Sequence, residues 1–257
     1  MTCVQKMQLA DDFSVYANAG AEFETRFIYK EIFRDGCYDV GPLPADAVVV
    51  DAGANIGLFS LYIKGRIPGA RVTAFEPAPE TAGTLRRNLA LHGRDDVTVH
   101  ECALGERDCA MTLTYFPNMP GNSSLNNDGI DAKVRRALAD NPEHPVARLR
   151  VARRPVEVAV RRLSGFLRDM EGLDRIDLLK IDVEGAEMDV LAGLDDEHWA
   201  LVRNLVLEIC DIDNAGRPGA VAAAEKMLEA RGFRVARQRA EWATEDLPMY
   251  TLTARRE

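Results

Sequence analysis

The sequence predicts an α/β fold built on a largely parallel sheet. Short, continuous apolar runs ending in an acid or a glycine recur along the chain: "AVVVDAG" (47–53), "ARVTAFEP" (70–77), "IDLLKIDVEG" (176–185) and "VRNLVLEIC" (202–210). Helical stretches lie between them. The glycine turns "DAGANIG" and "VEGAE" lead from strand into helix. Strands covered on both faces read as unbroken apolar runs, and strand–helix alternation gives parallel strands joined by right-handed crossovers.

Residues 1–46 stand outside this alternation as an N-terminal helical leader. In it "EFETRFIYKEIFRDGCY" (22–38) reads as a helix, with Phe23, Phe27, Tyr29, Phe33 and Tyr38 as core or lid aromatics. The first strand covers 47–53, and a helix starts over Leu58–Lys64. The second strand, 70–77, is stopped by Pro77. "ETAGTLRRNLALHG" (80–93) is a helix with Leu85, Leu89 and Leu91 apolar and Gly93 at its end. "DVTVHECALG" (96–105) is the third strand. Residues 106–155 form a long insertion containing "YFPNMPGNSSLNNDG" (115–129), whose Pro, Gly, Asn and Ser content marks a loop. A loop this long inside a compact domain is usually functional or disordered. It is expected here to bind substrate. The fourth strand (176–185), a helix (186–194), the fifth strand (202–210) and a helix (220–233) closed by Gly232 follow. "FRVARQ" and "PMYTLTAR" pair as a terminal hairpin. No repeat or linker divides residues 47–257, which are read as one domain behind the leader.

The 257 residues carry a formal net charge of −9, with 47% hydrophobic and 28% charged residues, as in a soluble globular protein. An acidic balance argues against general binding to nucleic acid or anionic membranes. No apolar run approaches the roughly 20 residues that span a bilayer. "MTCVQKMQLADDF" lacks a signal-peptide pattern, so the expected location is the cytoplasm. Cys3, Cys37, Cys102, Cys109 and Cys210 form no CxxC pair, which fits reduced, packed thiols.

Ligands of such sheets bind at the carboxyl ends of the strands. Asp51, Glu76, Asp182 and Glu208 each end a strand there. In the first turn, Gly53 and Gly57 supply backbone angles closed to other residues, and Asn55 tolerates the left-handed region. The spacing is GxNxG rather than the GxGxxG of dinucleotide sites, and the phosphate-binding lysine of a P-loop is missing. A turn carrying its own carboxylate suits a ligand with a cationic end and a ribose. Asp51 fits an amino-acid ammonium, directly or through water, and Glu76 fits ribose hydroxyls. S-adenosyl-L-methionine has both features.

"VVVDAGANIGLFSLY", "VTAFEPAPETAGTLRRNLALHG", "ALGE", "IDLLKIDVEGAEMDVLAGL" and "LVLEIC" resemble the FkbM family of S-adenosylmethionine-dependent methyltransferases, over roughly residues 22–235. The resemblance implies a class I methyltransferase (Rossmann-like) fold: a seven-stranded, mostly parallel sheet with helices on both faces and a final antiparallel hairpin. It implies methylation of hydroxyl groups on polyketide, peptide or sugar acceptors. By that resemblance Asp51, Gly53, Asn55 and Gly57 line the methionine end of the cofactor, Glu76 holds the ribose, Cys102 and Ala103 border the adenine, and Asp182 sits beside the reactive methyl. "FPNMPGNSSL" resembles a segment of natural-product members, which marks Asn122, Ser123 and Ser124 for the acceptor; among the leader aromatics a substrate-pocket role for Tyr29 or Tyr38 is the alternative to packing.

Methyl transfer to oxygen requires loss of a proton and so calls for a base or a metal. Asp182, Glu184, Glu208 and His144 are the candidates. Glu184 either shares the Asp182 face of an extended strand or turns toward the next helix N-terminus. Lys180 shares the Asp182 face and reads as an ion-pair partner. A divalent metal on Asp182, Glu208 and "DIDN" (211–214) is an open alternative that is not favoured. The six arginines of "RLRVARRPVEVAVRR" (148–162) read as a solvated face or a docking patch for an acceptor presented on a carrier protein. The expected function is therefore an O-methyltransferase on a small-molecule or carrier-tethered intermediate. N- or C-methylation and a nicotinamide oxidoreductase are the alternatives. Oligomeric state is not legible.

Overall fold

The computed structural model describes residues 3–125, 138–212, 218–245 and 247–256. A seven-stranded sheet runs through the centre. In chain order its strands are β3 (Val48–Ala52), β4 (Arg71–Phe75), β5 (Thr98–His100), β9 (Leu178–Ile181), β10 (Asn204–Cys210), β11 (Arg234–Arg239) and β12 (Met249–Arg255). Their order across the sheet is β11-β12-β10-β9-β3-β4-β5. From β10 to β5 all neighbours are parallel. The last strand, β12, lies antiparallel between β10 and β11.

All five residues of β3 are buried, which is why that run is apolar throughout. Its side chains alternate between the two faces. Val49 packs in a core with Leu58, Phe59 and Leu61 of α2 (Leu58–Arg66) and Leu85 and Leu89 of α3 (Pro79–Leu91). Val50 and Ala52 pack in a second core with Leu163 and Leu167 of α5 (Leu163–Asp169), Val190 and Leu191 of α6 (Glu187–Ala192), and Val221, Ala224 and Leu228 of α8 (Ala220–Ala230). Between α6 and β10 lies the short α7 (Asp196–Trp199). The chain runs outward from β3 through β4 to β5 and then returns to β9 on the other side of β3. A crevice therefore opens between the carboxyl ends of β3 and β9.

Three regions depart from the sequence expectation. The leader opens with a hairpin, β1 (Val4–Ala10) and β2 (Phe13–Asn18), where a helix alone was expected. Met7 and Leu9 alternate with polar residues, and Val15 and Ala17 face the same core, so the two-residue period is real but short. The helix then follows as α1 (Glu22–Lys30), continues through a π-helical turn over Glu31–Asp35, and ends at Gly36 in the left-handed region, φ 66°. The third strand divides: Ala103–Leu104 (β6) leaves the main sheet and pairs with Arg154–Arg161 (β8). In the insertion, Cys109–Tyr115 (β7) pairs antiparallel with β8, and Pro145–Leu149 forms the short helix α4. The alternation of Val156, Val158 and Val160 thus does form a strand. The fourth strand is also shorter than expected, because the chain turns after Ile181 with Glu184 at φ 55° and Gly185 at φ 98°. No described helix is long and apolar enough to cross a membrane.

Candidate functional site

A cavity of about 1110 Å³ opens at the carboxyl ends of β3, β4, β9 and β10. α1, the 115–125 loop of the insertion, α4 and the segment before β12 close over it. Its floor is the glycine turn after β3. Gly53 N–H and Ala54 N–H both donate to the Phe75 carbonyl, at 3.0 and 2.9 Å, which folds the turn toward β4. Gly53 has φ +79°, and a Cβ there would lie 1.8 Å from the Asp182 carbonyl oxygen. Only glycine lets β3 and β9 end this close together.

Glu76 lies on the wall beside this turn. Its two carboxylate oxygens accept from Ala78 N–H (2.9 Å) and Asn55 N–H (3.0 Å). Burial pushes the Glu76 carboxyl up to about 7 against these two donors. Each oxygen keeps a lone pair for a ligand hydroxyl. Cys102 and Ala103 line the same side. Asn55 has φ 49°, and its carboxamide oxygen is buried without a hydrogen-bond partner. Such an orphaned acceptor in a cavity wall is a place where a ligand donor is expected.

Acids line the opposite end. The Tyr38 hydroxyl is 2.9 Å from Asp182 Oδ2 and 3.0 Å from Glu208 Oε2. Lys180, 3% exposed, spans Gly53 O (2.7 Å), Asp51 Oδ1 (3.3 Å) and Asp182 Oδ2 (3.5 Å). Burial works against its charge, but Asp51 and Asp182 outweigh burial and hold Lys180 above its ordinary value. Burial, with Asp182 and Glu31 beside it, raises Glu208 to about 8. Burial, then the charges of Asp182 and Glu208, raise Glu184 well above the carboxylate range. Glu31, held by Trp242 Nε1–H at 2.7 Å, is pushed by burial to about 7.

Over residues 51–235 the sequence matches the methyltransferase FkbM domain. The chain belongs to the FkbM methyltransferase family. "Methyltransferase 1" of Beauveria bassiana (strain ARSEF 2860) is 50% identical over 256 residues, covering 100% of each chain. "31-O-demethyl-FK506 methyltransferase FkbM" of Streptomyces tacrolimicus is 36% identical over 244 residues, 90% of each chain. The crystal structure of methyltransferase FkbM from Methylobacillus flagellatus KT superposes with a TM-score of 0.53 at 18% identity, over 88% of this chain and 47% of that one. The seven-stranded sheet is accordingly the class I methyltransferase fold, and the protein is a methyltransferase.

In this FkbM domain the cavity gathers Gly53, Asn55, Glu76, Cys102, Ala103, Asn122, Ser123, His144, Asp182, Glu184 and Glu208 from the residues singled out in the sequence. Four others lie elsewhere. Asp51 is fully buried behind the wall, where it accepts from Ser60 Oγ at 2.7 Å and pairs with Lys180. A direct contact from Asp51 to a ligand is therefore not available in this geometry. Gly57, φ +91°, sets the start of α2 against Leu85 without lining the cavity. Tyr29 stacks on Phe33 and Phe13 in an aromatic cluster away from the cavity, because the helix turns that face toward the hairpin. Ser124 is 4% exposed, and its hydroxyl donates to the Glu184 carbonyl at 2.6 Å, so it braces the β9 turn. His144 caps α4, its Nδ1 accepting Ala147 N–H at 3.3 Å.

For the metal alternative, Asp211 Oδ1 caps the turn into α8, accepting Gly219 N–H and Val221 N–H, while residues 213 and 214 lie outside the described residues. The acids whose ligand atoms converge within 4.8 Å, among the described residues, are Asp195 and Glu197 with His198. There Asp195 is engaged by Arg162 and Arg168, and His198 Nδ1 by Ser164.

The sequence reading missed Glu24, Glu31 and Trp242, whereas Tyr38, one of the two leader tyrosines offered for the substrate pocket, lines the cavity. Glu24, Phe27 and Ile28 of α1 and Glu31, the first residue of the π-helical turn, all line the cavity. Acids at the apolar positions of a helix were the available signal. Glu24, 3% exposed, is raised to about 8 by burial, and it holds the insertion through Gly121 N–H (3.1 Å) and Asn122 Nδ2 (3.2 Å).

Proposed function

We propose that this FkbM methyltransferase takes its methyl group from S-adenosyl-L-methionine and delivers it to a hydroxyl of a small-molecule natural-product intermediate. The observation that carries the oxygen acceptor is the Asp182–Tyr38–Glu208 arrangement at the cavity end away from Glu76. A hydroxyl must give up a proton as it is methylated, and this arrangement presents a carboxylate to receive it. The name of the Streptomyces relative, "31-O-demethyl-FK506 methyltransferase FkbM", supports the same class of acceptor.

The residues present fit the cofactor. Glu76 offers an acceptor on each oxygen for the ribose hydroxyls, Cys102 and Ala103, which line the cavity, would border the base, and the Gly53–Asn55 turn, with the orphaned Asn55 oxygen, would hold the amino-acid end. Asp51 acts through Lys180 and the turn rather than by contact. When bound, the cofactor supplies an electrophilic methyl on a sulfonium. The protein's part is to align the acceptor oxygen, exclude water and take the proton on Asp182, whose Oδ2 is fixed by Tyr38 and Lys180. α1 and the insertion, joined by Glu24, form the cover of the pocket.

The test is incubation with methyl-¹³C-labelled cofactor and a panel of hydroxylated and amine-bearing acceptors, read by carbon NMR. Label appearing as a methoxy carbon is the expected outcome. Label on nitrogen or carbon would assign the protein to another acceptor class.

A further inference from the structure

Tyr38 stands at hydrogen-bond distance from two carboxyl groups at once. One hydroxyl carries one proton. With Asp182 Oδ2 at 2.9 Å and Glu208 Oε2 at 3.0 Å, both contacts are hydrogen bonds only if one carboxyl group is itself protonated and donates to the tyrosine oxygen. We propose that Glu208 holds this proton and that Tyr38 is a positioning residue which keeps Asp182 aligned as the base. The inference rests on the hydroxyl-methylating reading above.

The surroundings sort the two acids. Lys180 reaches Asp182 Oδ2 at 3.5 Å, and Asp182 is 29% exposed, so its charge has a cation and some water. Glu208 has no cation within ion-pairing distance, among the described residues, and it faces further acids. Glu31 approaches it from the π-helical turn and Asp182 from the turn after β9, while Lys180 lowers it only from a distance. Glu184, Glu187 and Cys37 are further titratable groups around the pair. Two acids in unequal environments divide one proton unequally, as acid and base roles require. The carboxyl lacking a cation takes it. In the reaction the acceptor O–H bond breaks as the oxygen–methyl bond forms and the sulfonium–methyl bond breaks. The proton goes to Asp182 Oδ1, the oxygen not used by Tyr38, and leaves to solvent with the product.

The test needs no acceptor. Infrared difference spectra of the full chain near neutral pH compare wild type with Glu208→Gln, Asp182→Asn and Tyr38→Phe. A protonated-carboxyl band should be lost in Glu208→Gln, be kept in Asp182→Asn, and shift in Tyr38→Phe, where its partner oxygen is gone. Titration with S-adenosylhomocysteine should stay within about 2-fold of wild type for Tyr38→Phe, whose lost hydroxyl does not line the cofactor end. Loss of the band in Asp182→Asn instead, or in neither acid variant, overturns the assignment to Glu208. An unshifted band in Tyr38→Phe overturns the role of the tyrosine. Failure of the wild type to bind S-adenosylhomocysteine would strike the cofactor reading, while the band assignments would still decide the proton's place.

Discussion

Asp182→Asn is expected to lower turnover by about 10²- to 10⁴-fold, the usual contribution of a positioned general base. The amide keeps the shape of the side chain and accepts from Tyr38 through its oxygen, but it cannot take the acceptor's proton. S-adenosylhomocysteine affinity should fall far less than turnover, because Asp182 faces the reacting end while Glu76 and the glycine turn hold the nucleoside. The wild-type rate should also fall as pH rises through about 8. Glu208 gives up its proton there, and the single Tyr38 proton is then shared between two carboxylates, so Asp182 loses its fixed partner. A steady-state comparison of the variant and wild type across this range checks both parts. Equal losses in turnover and in cofactor affinity would move Asp182 from base to binding residue.

Gly53→Ala is expected to cost roughly 2–5 kcal/mol of stability, combining a left-handed backbone with overpacking. The clash is with backbone rather than with a side chain that can turn away: Asp182 O at 1.8 Å and Asp182 C at 2.9 Å from the new Cβ. Either β3 or β9 must move at its carboxyl end. Each movement breaks the Lys180 contact with Gly53 O and displaces Asp182. Gly83→Ala in α3 is the control. Its Cβ would meet nothing within 4 Å, so the change should be stabilising by about 0.5–1 kcal/mol through helix propensity. Thermal unfolding of the two variants measures the contrast, and a Gly53→Ala protein as stable as wild type would refute the close approach of the two strands.

The central sheet was legible because β3, β4, β9 and β10 are covered on both faces and so read as apolar runs. The acids at their ends were legible for the opposite reason, being polar residues at the edge of buried strands. The hairpin of β1 and β2 was not, since its pattern rests on a few alternating residues among polar ones. Asp51 shows a sharper limit. The sequence presents it as a carboxylate beside a glycine turn, but its partner Lys180 arrives from a strand 129 residues away in the chain, and that pairing spends the charge. Glu31 and Glu24 were obscured likewise. On a helix rich in Glu, Lys and Arg an acid reads as solvated, and only the packing of α1 against the cavity turns that face inward. In the insertion the valine alternation disclosed β8, whereas the loop's bond to Glu24 joins residues 97 apart, Gly121 and Glu24.

The glycine turn and Glu76 are proposed to hold a nucleoside with an amino-acid end. Calorimetric titration of the full chain with S-adenosylhomocysteine and with NAD, repeated on Glu76→Ala, tests this directly. Saturable binding of the first, none of the second, and a loss of about 10- to 100-fold on removing Glu76 are the predicted results. Binding of NAD in preference, or an affinity for S-adenosylhomocysteine unchanged in Glu76→Ala, would contradict the account.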